Sequence, residues 1–70
     1  MPNNVEDGYI IASKDNFKRY LHSIMWCKRK AIEYADCGNW QMAAQYCQDA
    51  ITDASNAIDI AKALEKQKSS

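Results

Sequence analysis

This chain is expected to fold as an all-α, antiparallel two-helix hairpin, with two such hairpins joining into a four-helix bundle. Three observations point there. Pro2 is the only proline and Gly8 and Gly38 the only glycines, so residues 13–67 contain a single backbone-permissive position. Apolar residues recur at helical spacing on both sides of that position. The joint Cys37–Gly38–Asn39 is short enough to make the flanking helices antiparallel neighbours.

Residues 1–12 read as a mostly irregular tail. Its apolar trio Tyr9, Ile10 and Ile11 has little reason to stay in water and is a candidate to fold back on the hairpin. The first helix is predicted over residues 14–36. Ser13 is placed to cap it, Asp15 complements the helix dipole, and Ala12 and Phe17 hold the staple positions around the cap. Phe17, Tyr20, Leu21, Ile24, Cys27, Ala31, Tyr34 and Ala35 fall on one stripe. Within it, Phe17/Ile24/Ala31 and Tyr20/Cys27/Tyr34 repeat over three heptads. Gly38 suits the left-handed position that ends such a helix, and Asn39 can cap the next. The second helix is predicted over residues 40–66, with Lys62, Lys66 and Lys68 suiting its C-terminal end. Its seam is taken as Ala43, Tyr46, Cys47, Ala50, Ala54, Ala57, Ile58, Ala61 and Leu64, flanked by Ile51. Alanines at spacings of three, four and seven let another backbone approach closely. Residues 68–70 read as a disordered end.

Seventy residues make one domain, and 47% hydrophobic with 26% charged residues suits a globular chain. The formal net charge is +0, but the charges are segregated. Residues 14–30 carry Lys14, Lys18, Arg19, Lys28, Arg29 and Lys30 against Asp15 alone. Residues 31–60 carry Glu33, Asp36, Asp49, Asp53 and Asp59 and no Lys or Arg. That polarity can guide helix pairing or orient a partner. No apolar run reaches the roughly 18 residues of a membrane span. The acidic, polar start MPNNVEDGY lacks the pattern of a secretion signal, which predicts a cytoplasmic protein with no membrane partner. The odd set Cys27, Cys37 and Cys47 points to reduced thiols.

The stretch from Gly38 to Ile51 resembles the second helix of a tetratricopeptide repeat. Gly38, Trp40, Ala43 and Ala50 match that family's turn, aromatic and small-residue places, and Ala31 and Tyr34 match its preceding helix. The resemblance covers residues 27–54 and implies a protein-binding role. The sequence departs from the family where the second helix runs on about two turns and no Pro ends it. In style, the chain is also similar to small accessory proteins from bacteriophage early regions.

Trp26 is the residue most suggestive of function. The helical wheel places it away from the core stripe, among Arg19, His22, Arg29, Lys30 and Glu33. An aromatic among cations can anchor a protein interface or stack on a base. Arg19, His22, Trp26, Arg29 and Lys30 are therefore the candidate partner-binding residues. Zero net charge favours a protein partner, with nucleic acid the alternative on the same basic face. One histidine and cysteines ten residues apart match no metal-site spacing, and no cofactor is expected. Cys27 and Cys47 are read as small core residues and Cys37 as the exposed thiol. Two helices offer no enclosed pocket for a nucleophile and its base, so no enzymatic role is expected.

Met25 and Ile32 widen the apolar arc of the first helix, and Ile51, Ile58 and Ile60 that of the second. Two facing helices cannot cover all of it, so these five are assigned to a homodimer interface. Packing of Tyr9–Ile11 over a monomeric hairpin is the competing solution.

Overall fold

The computed structural model describes residues 11–69, and among them every element is helical. Helix α1 runs Lys14–Asp36 and α2 runs Trp40–Ser69; they pack side by side as an antiparallel hairpin. The expected packing of Tyr9 and Ile10 lies outside the described residues.

Capping residues set the boundaries. Ser13 is extended (φ −144°, ψ 157°), and its Oγ accepts from the Asn16 N–H at 3.1 Å, satisfying one of the orphan donors of α1. Asn16 in turn donates through Nδ2 to the Ile11 carbonyl at 2.9 Å, tying the approaching strand of chain to the first turn. At the other end Gly38 adopts φ 78°, the left-handed conformation that an L side chain resists. Gly38 N–H donates to the Ala35 carbonyl (2.9 Å) and Asn39 N–H to the Tyr34 carbonyl (2.8 Å). These are the paired bonds of a Schellman turn. Asn39 then caps α2 by accepting the Met42 N–H at 3.2 Å through Oδ1. α2 continues past the expected stop at residue 66 as far as Ser69, because nothing after Lys66 breaks a helix.

The inner seam of α1 is half-buried Phe17, Tyr20, Ile24, Ala31 and Tyr34 around buried Cys27. Leu21, expected on that stripe, is 41% exposed. The seam of α2 is Ala43, Tyr46, Ala50, Asp53, Ala57, Ile60 and Leu64, an unbroken alternation of three and four. This corrects the sequence reading. Cys47, Ile58 and Ala61 point to solvent, and Ile60, expected at the dimer interface, is the most buried side chain at 1% exposed. The physical reason is that α2 carries two adjacent apolar stripes, and contact with α1 selects one of them.

The molecule measures 48 × 25 × 14 Å, so the hairpin is a slab one helix thick. Among the described residues only Cys27, Ala43, Ala57 and Ile60 are buried. Burying an Ile contributes on the order of 2–3 kcal/mol, so a core of this size supports a marginal fold.

Candidate functional site

The hairpin presents two broad faces of different chemistry. The first is built around Trp26. Helix α1 projects Ser23, Trp26 and Cys27 toward Tyr46, Asp49, Thr52 and Asp53 of α2, and these seven line an open groove of about 330 Å³. Trp26 is 52% exposed. It stands on the shoulder of the interhelical groove, closer to α2 than the helical wheel placed it. Lys30, one turn on, sits with Nζ 5.4 Å from the Trp26 ring centre and 5.6 Å from that of Tyr34. Tyr34 stacks in turn on Tyr46, with ring centres 5.8 Å apart and planes 13° from parallel. The result is a ladder of aromatic rings and one ammonium that crosses from α1 to α2.

Lys30 is thus engaged within the chain. Its Nζ donates to Glu33 Oε1 at 3.1 Å, and that hydrogen bond, with the carboxylate's charge, raises the ammonium above its ordinary value. Arg19, His22 and Arg29, by contrast, are exposed. Arg19 lies two turns before Trp26 on nearly the same line, whereas His22 and Arg29 occupy the outer crest of α1. Lys28 and Arg29 share a shallow cleft with Met25 and Ile32 on the opposite shoulder.

At the floor of the Trp26 groove, Ser23 Oγ donates to Asp53 Oδ2 at 2.6 Å, and the Cys27 thiol approaches the same oxygen at 3.9 Å. Burial pushes the Cys27 thiol above its ordinary value, and the negative charges of Asp53 and Asp49 push it further. Both effects favour the protonated thiol. Cys37 and Cys47 are exposed, so the expectation that Cys47 is a core residue is corrected. Sequence reasoning missed Ser23, Tyr46, Asp49 and Asp53 as groove residues. Among the described residues no three His, Cys, Asp or Glu side chains are grouped to hold a metal ion.

The second face is apolar. On α2 the stripe Trp40, Ala44, Cys47, Ile51, Ala54, Ile58 and Ala61 again alternates by four and three, one position outside the seam. On α1 the matching flank carries Leu21, Met25, Ile32 and Ala35. The two flanks meet on one side of the hairpin: Ala31, Ile32 and Ala35 together with Trp40, Ala43, Ala44 and Cys47 enclose a groove of about 350 Å³. Of the assigned interface residues, Met25 is 64%, Ile32 51%, Ile51 64% and Ile58 53% exposed. Trp40, at 68% exposed, joins them on this face. The sequence reading placed it at the start of α2 and in the aromatic position of the repeat resemblance, not on this face.

No helix among the described residues is long and apolar enough to cross a membrane. Comparison with known proteins finds no matching family model, no matching curated protein and no matching solved structure.

Proposed function

We propose that this chain is a small non-enzymatic helical module that binds another protein, acting as a homodimer. Contact with the target is made by the face around Trp26, with Arg19, His22, Arg29 and Lys30 about it. An accessory or regulatory role on a host or phage protein is the setting that fits a chain of this style. One observation carries the reading: Trp26 is half exposed yet held in place by Lys30 at the mouth of a groove walled by Tyr46, Asp49 and Asp53. A pre-positioned indole flanked by both signs of charge is the composition of a protein-interface anchor.

The same groove argues against nucleic acid as the target. Two carboxylates, exposed Asp49 and half-buried Asp53, line the groove with Trp26, where a stacked base would bring its phosphates. The nearest cation, Lys30, is bonded to Glu33. The test has two parts. In a gel shift at low salt with single- and double-stranded DNA and RNA, no retarded band is expected. In affinity capture from the native host, a target retained by the wild type is expected to be lost with Trp26→Ala and with Arg19→Ala/Arg29→Ala. Both variants must keep their helicity by circular dichroism. A salt-sensitive shift that Trp26→Ala abolishes would overturn the proposal in favour of nucleic acid.

A further inference from the structure

We infer that the apolar face docks a second copy of this chain about a two-fold axis parallel to the helices. Each α1 then lies over the partner's α2 in an antiparallel four-helix bundle. This rests on the homodimer reading above and specifies which surface meets which.

The area suffices. Leu21, Met25, Ile32, Trp40, Ile51 and Ile58 are 41–68% exposed. With about 200 Å² for a full aliphatic side chain and about 250 Å² for Trp, they present on the order of 700 Å² per copy, close to the 800 Å² per partner of a standard interface. Shape discriminates between the two possible face-to-face arrangements. The stripe of α2 sets small residues before, between and after Ile51 and Ile58 (Ala44 and Cys47, Ala54, Ala61), leaving hollows, whereas α1 offers the projecting side chains Leu21, Met25 and Ile32. Projections meet hollows when α1 lies on α2. When α1 lies on α1, they meet each other.

Net charge counts against α1 lying on α1, although Asp49 and Asp53 of α2 line the opposite face and do not contribute to the docking surface. Helix α1 holds six cations (Lys14, Lys18, Arg19, Lys28, Arg29, Lys30) against three acids (Asp15, Glu33, Asp36). Helix α2 holds three cations (Lys62, Lys66, Lys68) against four acids (Asp49, Asp53, Asp59, Glu65). Placing α1 on α1 would bring Lys14, Lys18 and Lys28, all on the docking flank, against a like-charged helix. A two-fold axis along the helices leaves every residue at its own height, so the hairpin's internal register also governs the contact between copies. Within the hairpin Cys27 is level with Asp53 and Tyr34 with Tyr46. Met25 therefore falls between Ala54 and Ile58 of the partner, Ile32 beside Cys47 of the partner, and Lys14 and Lys18 at the heights of Lys66 and Lys62 of the partner, with Glu65 of the partner between them.

Sedimentation of the full chain from 1 to 200 µM, followed by a distance measurement, tests this. The wild type is expected to reach about 16 kDa, twice the 8.0 kDa of one chain. Ile51→Glu, at a solvent-exposed position of the lone hairpin, is expected to remain helical and sediment as a monomer, while Trp26→Ala still dimerises. A nitroxide is then placed on the exposed turn thiol Cys37 in the Cys47→Ala variant, with Cys27 left buried. An axis parallel to the helices puts both turns at one end of the bundle, below roughly 30 Å apart given helix diameters of about 10–12 Å. The perpendicular axis lays α1 antiparallel on α1 and puts them at opposite ends, roughly 35 Å apart, the length of a 23-residue helix. A wild type that stays monomeric overturns both the homodimer reading and this inference. A dimer with the long separation, or one that survives Ile51→Glu, overturns the inference alone.

Discussion

Replacing Ile60 and Ile51 separately by Ala isolates the core from the surface, because the two side chains are chemically identical and sit one helical face apart. Ile60 is 1% exposed between the helices, whereas Ile51 is 64% exposed on the open side. Ile→Ala removes three carbons, worth about 0.8 kcal/mol each in transfer, or about 2.4 kcal/mol at Ile60. A cavity of about 80 Å³ adds about 2 kcal/mol at 24 cal/mol per Å³ if the site does not collapse. Ile60→Ala is therefore expected to destabilise the chain by about 3–4 kcal/mol. At roughly 0.05–0.15 kcal/mol per residue, that is a third or more of the stability of a chain this size. Ile51→Ala in the lone hairpin forfeits only the buried third of its surface, about 1 kcal/mol or less, with no cavity. Urea denaturation followed by far-UV circular dichroism measures both, first at the lowest workable protein concentration and then at the highest. The cost of Ile51→Ala should grow with concentration, because the wild type then gains from association that the variant has weakened. Equal costs for the two substitutions in dilute solution would refute the assignment of the seam.

Three further substitutions probe single features. Gly38→Ala should cost about 1 kcal/mol, or about 4–8 °C in Tm, through the positive φ alone, since nothing beyond the two adjoining residues lies within 4 Å of the added methyl; Gly38→Asn should cost less. Ser23→Ala removes the donor to half-buried Asp53 and should lower stability by about 1–2 kcal/mol, measured by chemical denaturation. A thiol reagent at neutral pH should modify Cys37 quickly, Cys47 quickly only in dilute solution where the chain is monomeric, and Cys27 only as fast as the hairpin opens. Because the folded-state value of Cys27 is raised, the native chain holds that proton after the unfolded chain has lost it. Stability should be unaffected by this thiol below about pH 9 and fall as pH rises past it, an effect that Cys27→Ala removes.

Helix α1, the turn and both caps were legible in the sequence because each rests on local chemistry: Ser13 before Asn16, Gly38 where φ must be positive, Asn39 before Met42. The inner stripe of α1 was legible for most of its length because its other flank is polar. The face of α2 was legible only in part: Ala43, Tyr46, Ala50, Ala57 and Leu64 were read on the seam, but Asp53 and Ile60 were not. Trp40, Ala44, Cys47, Ile51, Ala54, Ile58 and Ala61 form as regular a heptad stripe as the true seam beside it, and the true seam is interrupted by Asp53. Hydrophobicity alone therefore favoured Ala54 over Asp53 and Ile58 over Ile60. What decides the matter is a long-range contact: Ser23 of α1 supplies the hydrogen bond that makes a carboxylate tolerable at that height. Trp26 was recognisable as exceptional, but its closeness to Tyr46, Asp49 and Asp53 depends on how α1 is rotated against α2. Periodicity within one helix does not encode that rotation.

A ribbon only 14 Å thick has consequences for valency. Its greasy side and its indole-bearing side look in opposite directions, so covering one leaves the other free. In the proposed bundle the two Trp26 grooves face outward, half a turn apart about the long axis. Such a particle is bivalent: it can bridge two target molecules, or grip a symmetric target twice. The second grip then forms at an effective concentration far above that of free solution, so weak individual contacts add up to tight overall capture.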